Sequence, residues 1–299
     1  MRRVSLGAWR YYNHVSVSKS RKEKLVVINA DDFGFSTGVT EGILRAHLEG
    51  VVTSTTIMAN MPAAEEAVAR LDEAPELGVG VHLNVSQGRP LSRTGEALAE
   101  GDGVMRRSAV GVVLACIRRP GLIDAVEAEF DAQIRWTLDH GIRPTHLDSH
   151  RHTHGWPAVF ARVVKLARRY DIRFIRRLRE VLTGRRRAGS PLRQLVVSRA
   201  LALVGAAGGN IAPELTRAGG TMGISRGGCI DADWLIRAAR SVRPGVTEFI
   251  THPGLPDGLD PAYTRLIESR RGEMEALCDP RVRRAFERNG IRLVHYGQL

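Results

Sequence analysis

The sequence predicts an α/β protein, a TIM-like (βα) barrel that is complete or has a gap. Three observations lead there. Short β-branched apolar runs alternate with helix-patterned segments from residue 25 onward. About seven such runs can be counted, nearly all followed by a helix, which favours a parallel barrel over an open doubly wound sheet. The length of 299 residues suits one barrel of this kind. Residues 25–299 are therefore expected to form a single domain with a basic insertion around 183–215, preceded by a basic, flexible extension at 1–24.

Leu25-Val26-Val27-Ile28-Asn29 reads as a strand buried on both faces. Ser36-Thr37-Gly38 opens a helix that Gly50 stops. Val51 to Met58 is the second strand, rich in Ser, Thr and β-branched residues. Pro62 opens a helix running to about Asp72, and Val79 to Asn84 is the third strand. Residues 86–120 read as loop. From Leu122 to His140, Ile123, Val126, Phe130, Ile134 and Leu138 mark the buried stripe of an amphipathic helix.

A strand after Pro144 carries the histidine run, and Trp156-Pro157 begins another helix. Ile172 to Ile175 is the next strand, and 192–204 a hydrophobic helix. Asp231–Val242 is helical, and Val246 to Thr251 is a strand ending at His252-Pro253-Gly254. A helix pair and a closing strand at 291–295 complete the chain.

The net charge of +12 is unevenly spread. Residues 1–24 hold seven Arg/Lys against one Glu, and 165–193 hold eleven against two acids, so the rest of the chain is net negative. A broad nucleic-acid-binding face is therefore not expected. A local contact with an anionic glycan or membrane surface is permitted, although charge blocks are more often simply solvated. No apolar stretch approaches a membrane span, and no signal-peptide core is visible. Three scattered cysteines, Cys116, Cys229 and Cys278, make neither a disulfide framework nor a zinc site, which fits a cytoplasmic protein.

The chemistry-bearing residues gather at strand ends. Four of the ten histidines fall within nine residues: His146, His150, His152 and His154, with Asp148 among them. Alternation in a strand puts His146, Asp148 and His150 on one face. Asp31-Asp32 ends the first strand, His82 the third and His252 a later one. In a parallel sheet such ends share a rim, and one carboxylate with two imidazoles suits Zn²⁺, or with more water ligands Mg²⁺, Mn²⁺ or Fe²⁺. Each residue alone has a plainer reading: the aspartates as a helix cap and its solvated neighbour, His82 as a satisfied core histidine, His252 as a turn residue. Their joint placement is what points to a catalytic metal site. Asp31-Asp32-Phe33-Gly34 is neither a dinucleotide fingerprint nor a P-loop. His14 and His140 have no such context and carry no assignment, and His47 and His295 read as structural.

These stretches resemble the YdjC-like carbohydrate deacetylase family of chitooligosaccharide deacetylase type. The matching segments are Val27 to Gly34, Gly50 to Thr56, Gly80 to Leu83, Pro144 to His154 and Thr251 to Gly254. The resemblance implies a hydrolase with one divalent ion, Mg or Zn, held by Asp32, His82 and His150. It implies Asp31 as general base and His252 as general acid, with the roles of Asp31 and Asp32 exchangeable. His146, Asp148 and His152 are then candidates for orienting the ligands from behind, and His154 and Trp156 for lining the sugar site, Trp156 being as readily a core residue at a helix start.

The implied reaction removes the N-acetyl group from an amino sugar, in an oligosaccharide or a glycolipid, and releases acetate. Two alternatives stand beside it: a non-haem iron oxygenase using the two-His-one-carboxylate set, and a non-catalytic, metal-stabilised glycan-binding protein. The expected partner is an N-acetylated sugar and no nucleic acid. A homodimer is left open.

Overall fold

The computed structural model describes residues 23–181, 212, 214–215 and 219–299. The elements run β1 (Lys24–Phe33), α1 (Thr37–Leu48), β2 (Ser54–Ile57), α2 (Ala64–Ala69), β3 (Gly78–Leu83), α3 (Ala109–Arg118), α4 (Leu122–Asp139), β4 (Leu147–Ser149), α5 (Pro157–Arg169), β5 (Gly220–Met222), α6 (Ala232–Ala239), β6 (Gly245–Thr251), α7 (Glu268–Cys278), α8 (Pro280–Arg288) and β7 (Ile291–Leu293). The expected extension at 1–24, apart from its last two residues, most of the basic insertion and the helix at 192–204 lie outside the described residues.

The seven strands form one sheet of order β4-β3-β2-β1-β6-β5, with β7 also paired to β1, and every pairing is parallel. The sheet curls until its edges approach each other. On one edge Leu147 N–H donates to the Phe174 carbonyl and Arg176 N–H to the Leu147 carbonyl, both at 2.9 Å. On the other, Thr221 N–H donates to the Arg179 carbonyl and Val181 N–H to the Thr221 carbonyl. The segment 174–181 thus bridges β4 and β5 through isolated pairings at Ile175 and Glu180. The strand expected at Ile172–Ile175 is reduced to this bridge.

Alternation in β1 sets the layers. Val26, Ile28 and Ala30 face the helices in one large cluster, whereas Leu25 and Val27 pack inside the curl with Phe174, Val294 and Tyr296. A second cluster joins β3 and β4 to α3, α4 and α5. Val126, Phe130 and Ile134 of the predicted α4 stripe are buried there.

Ser36 caps α1 by accepting from Val39 N–H at 3.2 Å. A Cβ on Gly42 of α1 would stand 2.4 Å from Gly254 Cα, so only glycine lets α1 lie against the loop that follows β6.

Three further departures from the sequence reading have local causes. Residues 86–120 are not all loop: a 3₁₀ turn at Thr94–Leu98 and α3, capped by Ser108, form within them. The strand carrying the histidines stops at Ser149, and His150–Gly155 is a 3₁₀ turn with Arg151 and His152 in left-handed conformation. β5, flanked by glycines and three residues long, carries too little periodicity to be seen in sequence.

Candidate active site

Asn29 and Asp31 continue the inner face of β1, so a regular strand would turn Asp32 outward. It does not, because the β1–β2 register shifts between Ala30 and Phe33 and Asp32 takes φ 76°. That left-handed residue, uncommon outside glycine, swings the second carboxylate back over the strand end. Both aspartates are then buried at the same rim.

Asp32, His82 and His150 come together. Asp32 Oδ1 lies 3.1 Å from His150 Nδ1 and 3.3 Å from His82 Nε2, and the three ligand atoms fall within 4.8 Å of one another. Two donors bonded to one zinc or magnesium ion at roughly 2.1 Å stand about 3 to 3.5 Å apart, so the spacing fits a shared cation. The chemistry of the donors fits as well. His82 Nδ1 is engaged by Asp148 Oδ1 at 2.7 Å, which leaves Nε2 facing the centre. Asp148 is fixed in turn by the Thr56 hydroxyl, which donates to Oδ2 at 3.1 Å.

Burial opposes charge on His82, but the Asp148 and Asp32 carboxylates outweigh it and push its pKa up to about 10. Burial lowers the pKa of His150 against the pull of Asp32, keeping that ring neutral and suited to ligation. A second group, Asp31, His82 and Asp148, also lies close enough to hold an ion.

Asp31 is clasped by a residue that sequence reasoning did not single out. Arg176 donates to Oδ1 at 2.6 Å and Oδ2 at 2.7 Å, and Asn29 Nδ2 donates to Oδ1 at 2.8 Å. Burial would raise the Asp31 pKa, yet Arg176, with help from His82 and His252, holds it well below the carboxylate range. Arg176 is itself buried, with Nη1 2.7 Å from Asp148 Oδ2 and Nε donating to Glu248 Oε1 at 2.8 Å. Burial and the neighbouring Asp31 and Asp148 charges push Glu248 up to about 7, against the pull of Arg176.

Asp32 is similarly depressed. Burial raises it, and Arg270 Nη2, 2.6 Å from Oδ2, overcomes that with His150 and His82. Asp31, Asp32 and Asp148 thus face the Arg176 and Arg270 guanidinium groups and a protonated His82, so loss of the His82 proton leaves an anionic surplus for a cation to complement.

His252 follows the end of β6, its Nε2 4.0 Å from Asp31 Oδ2. Its main-chain N–H donates to Glu273 Oε2 at 2.7 Å, and Glu273 Oε1 accepts from Gly228 N–H. A buried α7 carboxylate therefore fixes the turn that aims His252.

The remaining candidates stay outside the two ligand groups. His146 is buried, stacked 4.2 Å from Tyr296, with Nδ1 3.0 Å from the Thr145 hydroxyl. His154, expected at the sugar site, is buried too; its Nδ1 meets the Ser149 hydroxyl and its Nε2 donates to the Arg176 carbonyl at 3.2 Å. It supports the backbone of Arg176 and has no ring nitrogen left for a substrate. Trp156 precedes α5 and packs half-buried on the α4–α5 core. His152 sits in the 3₁₀ turn with a buried, unpartnered Nδ1.

A signal for Arg176 existed: it directly follows the apolar pair Phe174-Ile175, as the other site residues follow theirs. Glu248 was a charge inside an otherwise uncharged strand. Arg270 and Glu273 carried no local mark within a charged helix.

The family model described as YdjC-like protein matches residues 25–288. The chain belongs to that family. A carbohydrate deacetylase of Geobacillus stearothermophilus is 46% identical over 146 residues, which is 49% of this chain and 57% of that protein. One from Brevibacillus brevis is 42% identical over 147 residues, again 49% and 57%. Each of these matches spans little more than half the length of the relative.

A solved structure from Enterococcus faecalis V583, described as that of a candidate cellobiose-phosphate cleavage protein, superposes with a TM-score of 0.71 at 25% identity. It covers 92% of this chain and 98% of that one.

Proposed function

We propose that the chain is a metal-dependent hydrolase that removes the acetyl group from an N-acetyl amino sugar. The observation that carries this reading is the Asp32–His82–His150 cluster with Asp31 and His252 beside it, which we read as a ligand set and an acid–base pair. The names of the relatives, carbohydrate deacetylases, supply the substrate class. We read the curled sheet as a (βα) barrel of the TIM-like kind, its edges linked among the described residues by the short bridge at 174–181.

Asp32, His82 and His150 would hold the ion. When bound, a divalent cation polarises the acetamide carbonyl and acidifies water. Asp31 accepts the proton of the attacking water; Arg176 keeps that carboxylate ionised and aimed. His252 donates a proton to the departing nitrogen, which is too basic to leave unprotonated. Water and amide become acetate and a free amine, and the proton gained by Asp31 balances the one given by His252. Asp148 orients His82, and Glu273 orients the main chain of His252.

An iron oxygenase would share the two-His-one-carboxylate set, but it has no use for an acid beside a base at the same rim. Free Cys116, Cys229 and Cys278 suit a reducing compartment.

The deciding experiment is a screen for acetate release from N-acetylated mono-, oligo- and lipid-linked sugars across Mg²⁺, Zn²⁺, Mn²⁺ and Co²⁺, repeated after chelation. Acetate that appears with metal and vanishes with chelator supports the reading. No acetate under any metal, or oxygen uptake with Fe²⁺ instead, ends it.

A further inference from the structure

Helix α3 carries an apolar stripe on its outer side. Val110, Val113, Leu114 and Ile117 recur at i, i+3, i+4 and i+7. Val110 is 67% exposed, Leu114 42% and Ile117 60%. The inner side, Val112 and Cys116, is buried against the core shared with α4 and α5. Among the described residues the other large exposed hydrophobics are Leu48 and Leu91, so most of this exposed apolar surface lies on one helix. Single exposed apolar residues are ordinary, whereas a contiguous stripe marks a contact surface.

Charge frames the stripe. Residues 103–123 contain Arg106, Arg107, Arg118 and Arg119 and no acidic residue. Arg106 pairs backward with Asp102; the other three have no carboxylate partner within ion-pair distance among the described residues. The helix also lies at the active rim. It belongs to the connection leaving the C-terminal end of β3, the strand of His82. Arg151, beside His150, reaches the Arg107 carbonyl at 3.5 Å.

We propose that α3 seats the chain on an anionic lipid surface, with the stripe at the acyl boundary and the arginines at the headgroups. The rim of the site then faces the membrane. Taken with the deacetylase reading, on which this consequence rests, the substrate is an N-acetyl amino sugar carried on a lipid.

Charge complementarity selects this occupant. A second copy on the same stripe would bring arginine against arginine, with no acid in either segment. Four aliphatic side chains on a ten-residue helix also fall well short of the roughly 800 Å² per partner that a stable dimer buries. An anionic headgroup layer satisfies both the stripe and its arginines. No described helix is long and apolar enough to cross a membrane, so the contact is a peripheral one.

The test is co-sedimentation of the full chain with vesicles of phosphatidylglycerol and phosphatidylcholine, in about 0.5 M salt to screen charge from elsewhere on this basic chain. The unmodified chain is expected on the vesicles. V110S/L114S/I117S should reduce that partition by about tenfold or more, with unchanged Tm and unchanged acetate release from a soluble N-acetyl sugar. R118E/R119E should weaken partition at about 0.15 M salt.

Absence of binding, or equal binding by the triple variant, overturns the proposal. A concentration-dependent dimer in ultracentrifugation, broken by the triple variant without vesicle binding, assigns the stripe to a second copy. A fall in Tm of the triple variant without any vesicle effect assigns it to cover by another part of the chain. If acetate is released by no form while vesicles still bind, the deacetylase reading fails and the membrane contact stands.

Discussion

Arg176 grips Asp31 through two parallel hydrogen bonds of 2.6 and 2.7 Å, with both groups buried and the same guanidinium touching Asp148 and Glu248. The cation balances the carboxylate proposed as base and the carboxylate behind His82, so a single side chain ties the proposed proton acceptor to the proposed ligand His82. A planar fork can do this; an ammonium cannot.

Arg176→Met therefore strips three buried carboxylates of their partner. The variant should lose about 3–5 kcal/mol in urea denaturation, the usual cost of breaking a buried pair by removing one side. Arg176→Lys should keep part of that stability while losing activity by about a hundredfold, because the bidentate geometry is gone. Full activity in the lysine variant would remove Arg176 from the positioning of Asp31.

Asp31 and Asp32 should separate cleanly. Asp31→Asn is expected to lower kcat by about 10² to 10⁴ while the protein still binds metal. Asp32→Asn should release metal, read as metal content after dialysis. The reverse pattern would exchange the two roles.

Metal uptake should release a proton. His82 is pushed up to about 10, so near pH 8 the metal-free ring is protonated and must become neutral at Nε2 to ligate. Calorimetric titration in buffers of different ionisation enthalpy should report about one proton released, falling away as the pH approaches 10. Heats that do not depend on the buffer would contradict this.

His154 sets a pH dependence of the fold. Burial, and then the Arg176 charge, depress its pKa to about 3. The unfolded ring takes up its proton near pH 6.5, so between 6.5 and 3 the unfolded state binds more protons than the folded one. This contribution to stability is whole above 6.5 and declines as pH falls toward 3. The metal-free protein should lose Tm across that window, and His154→Gln should flatten the slope.

His252→Gln should cut turnover of acetamides more than turnover of an activated aryl acetate, whose leaving group needs no proton. Equal losses on both would deny His252 the role of acid.

Much of this was legible in the linear pattern, for reasons of range. The strands read at 25–29 and 246–251, the α4 stripe and the helix start at Ser36 rest on periodicity and propensity over a few residues. The clustering of His82, His150 and His252 at strand ends followed from the parallel order alone. What failed locally was α3, whose glycine and flanking loop residues hid a ten-residue helix. The short strand β5 failed for the same lack of signal.

The sequence by itself determined the alternation of strands and helices, the rim on which the chemistry sits, and the residue types available there. Tertiary structure alone decided that Asp32 turns inward at a left-handed bulge, and that Arg176 and Arg270 neutralise carboxylates 145 and 238 residues away. It also decided that His154 braces the backbone carbonyl of Arg176. A strand pattern is fixed by neighbours two residues apart, whereas the partner of a buried charge is fixed by which strand ends the curled sheet brings face to face.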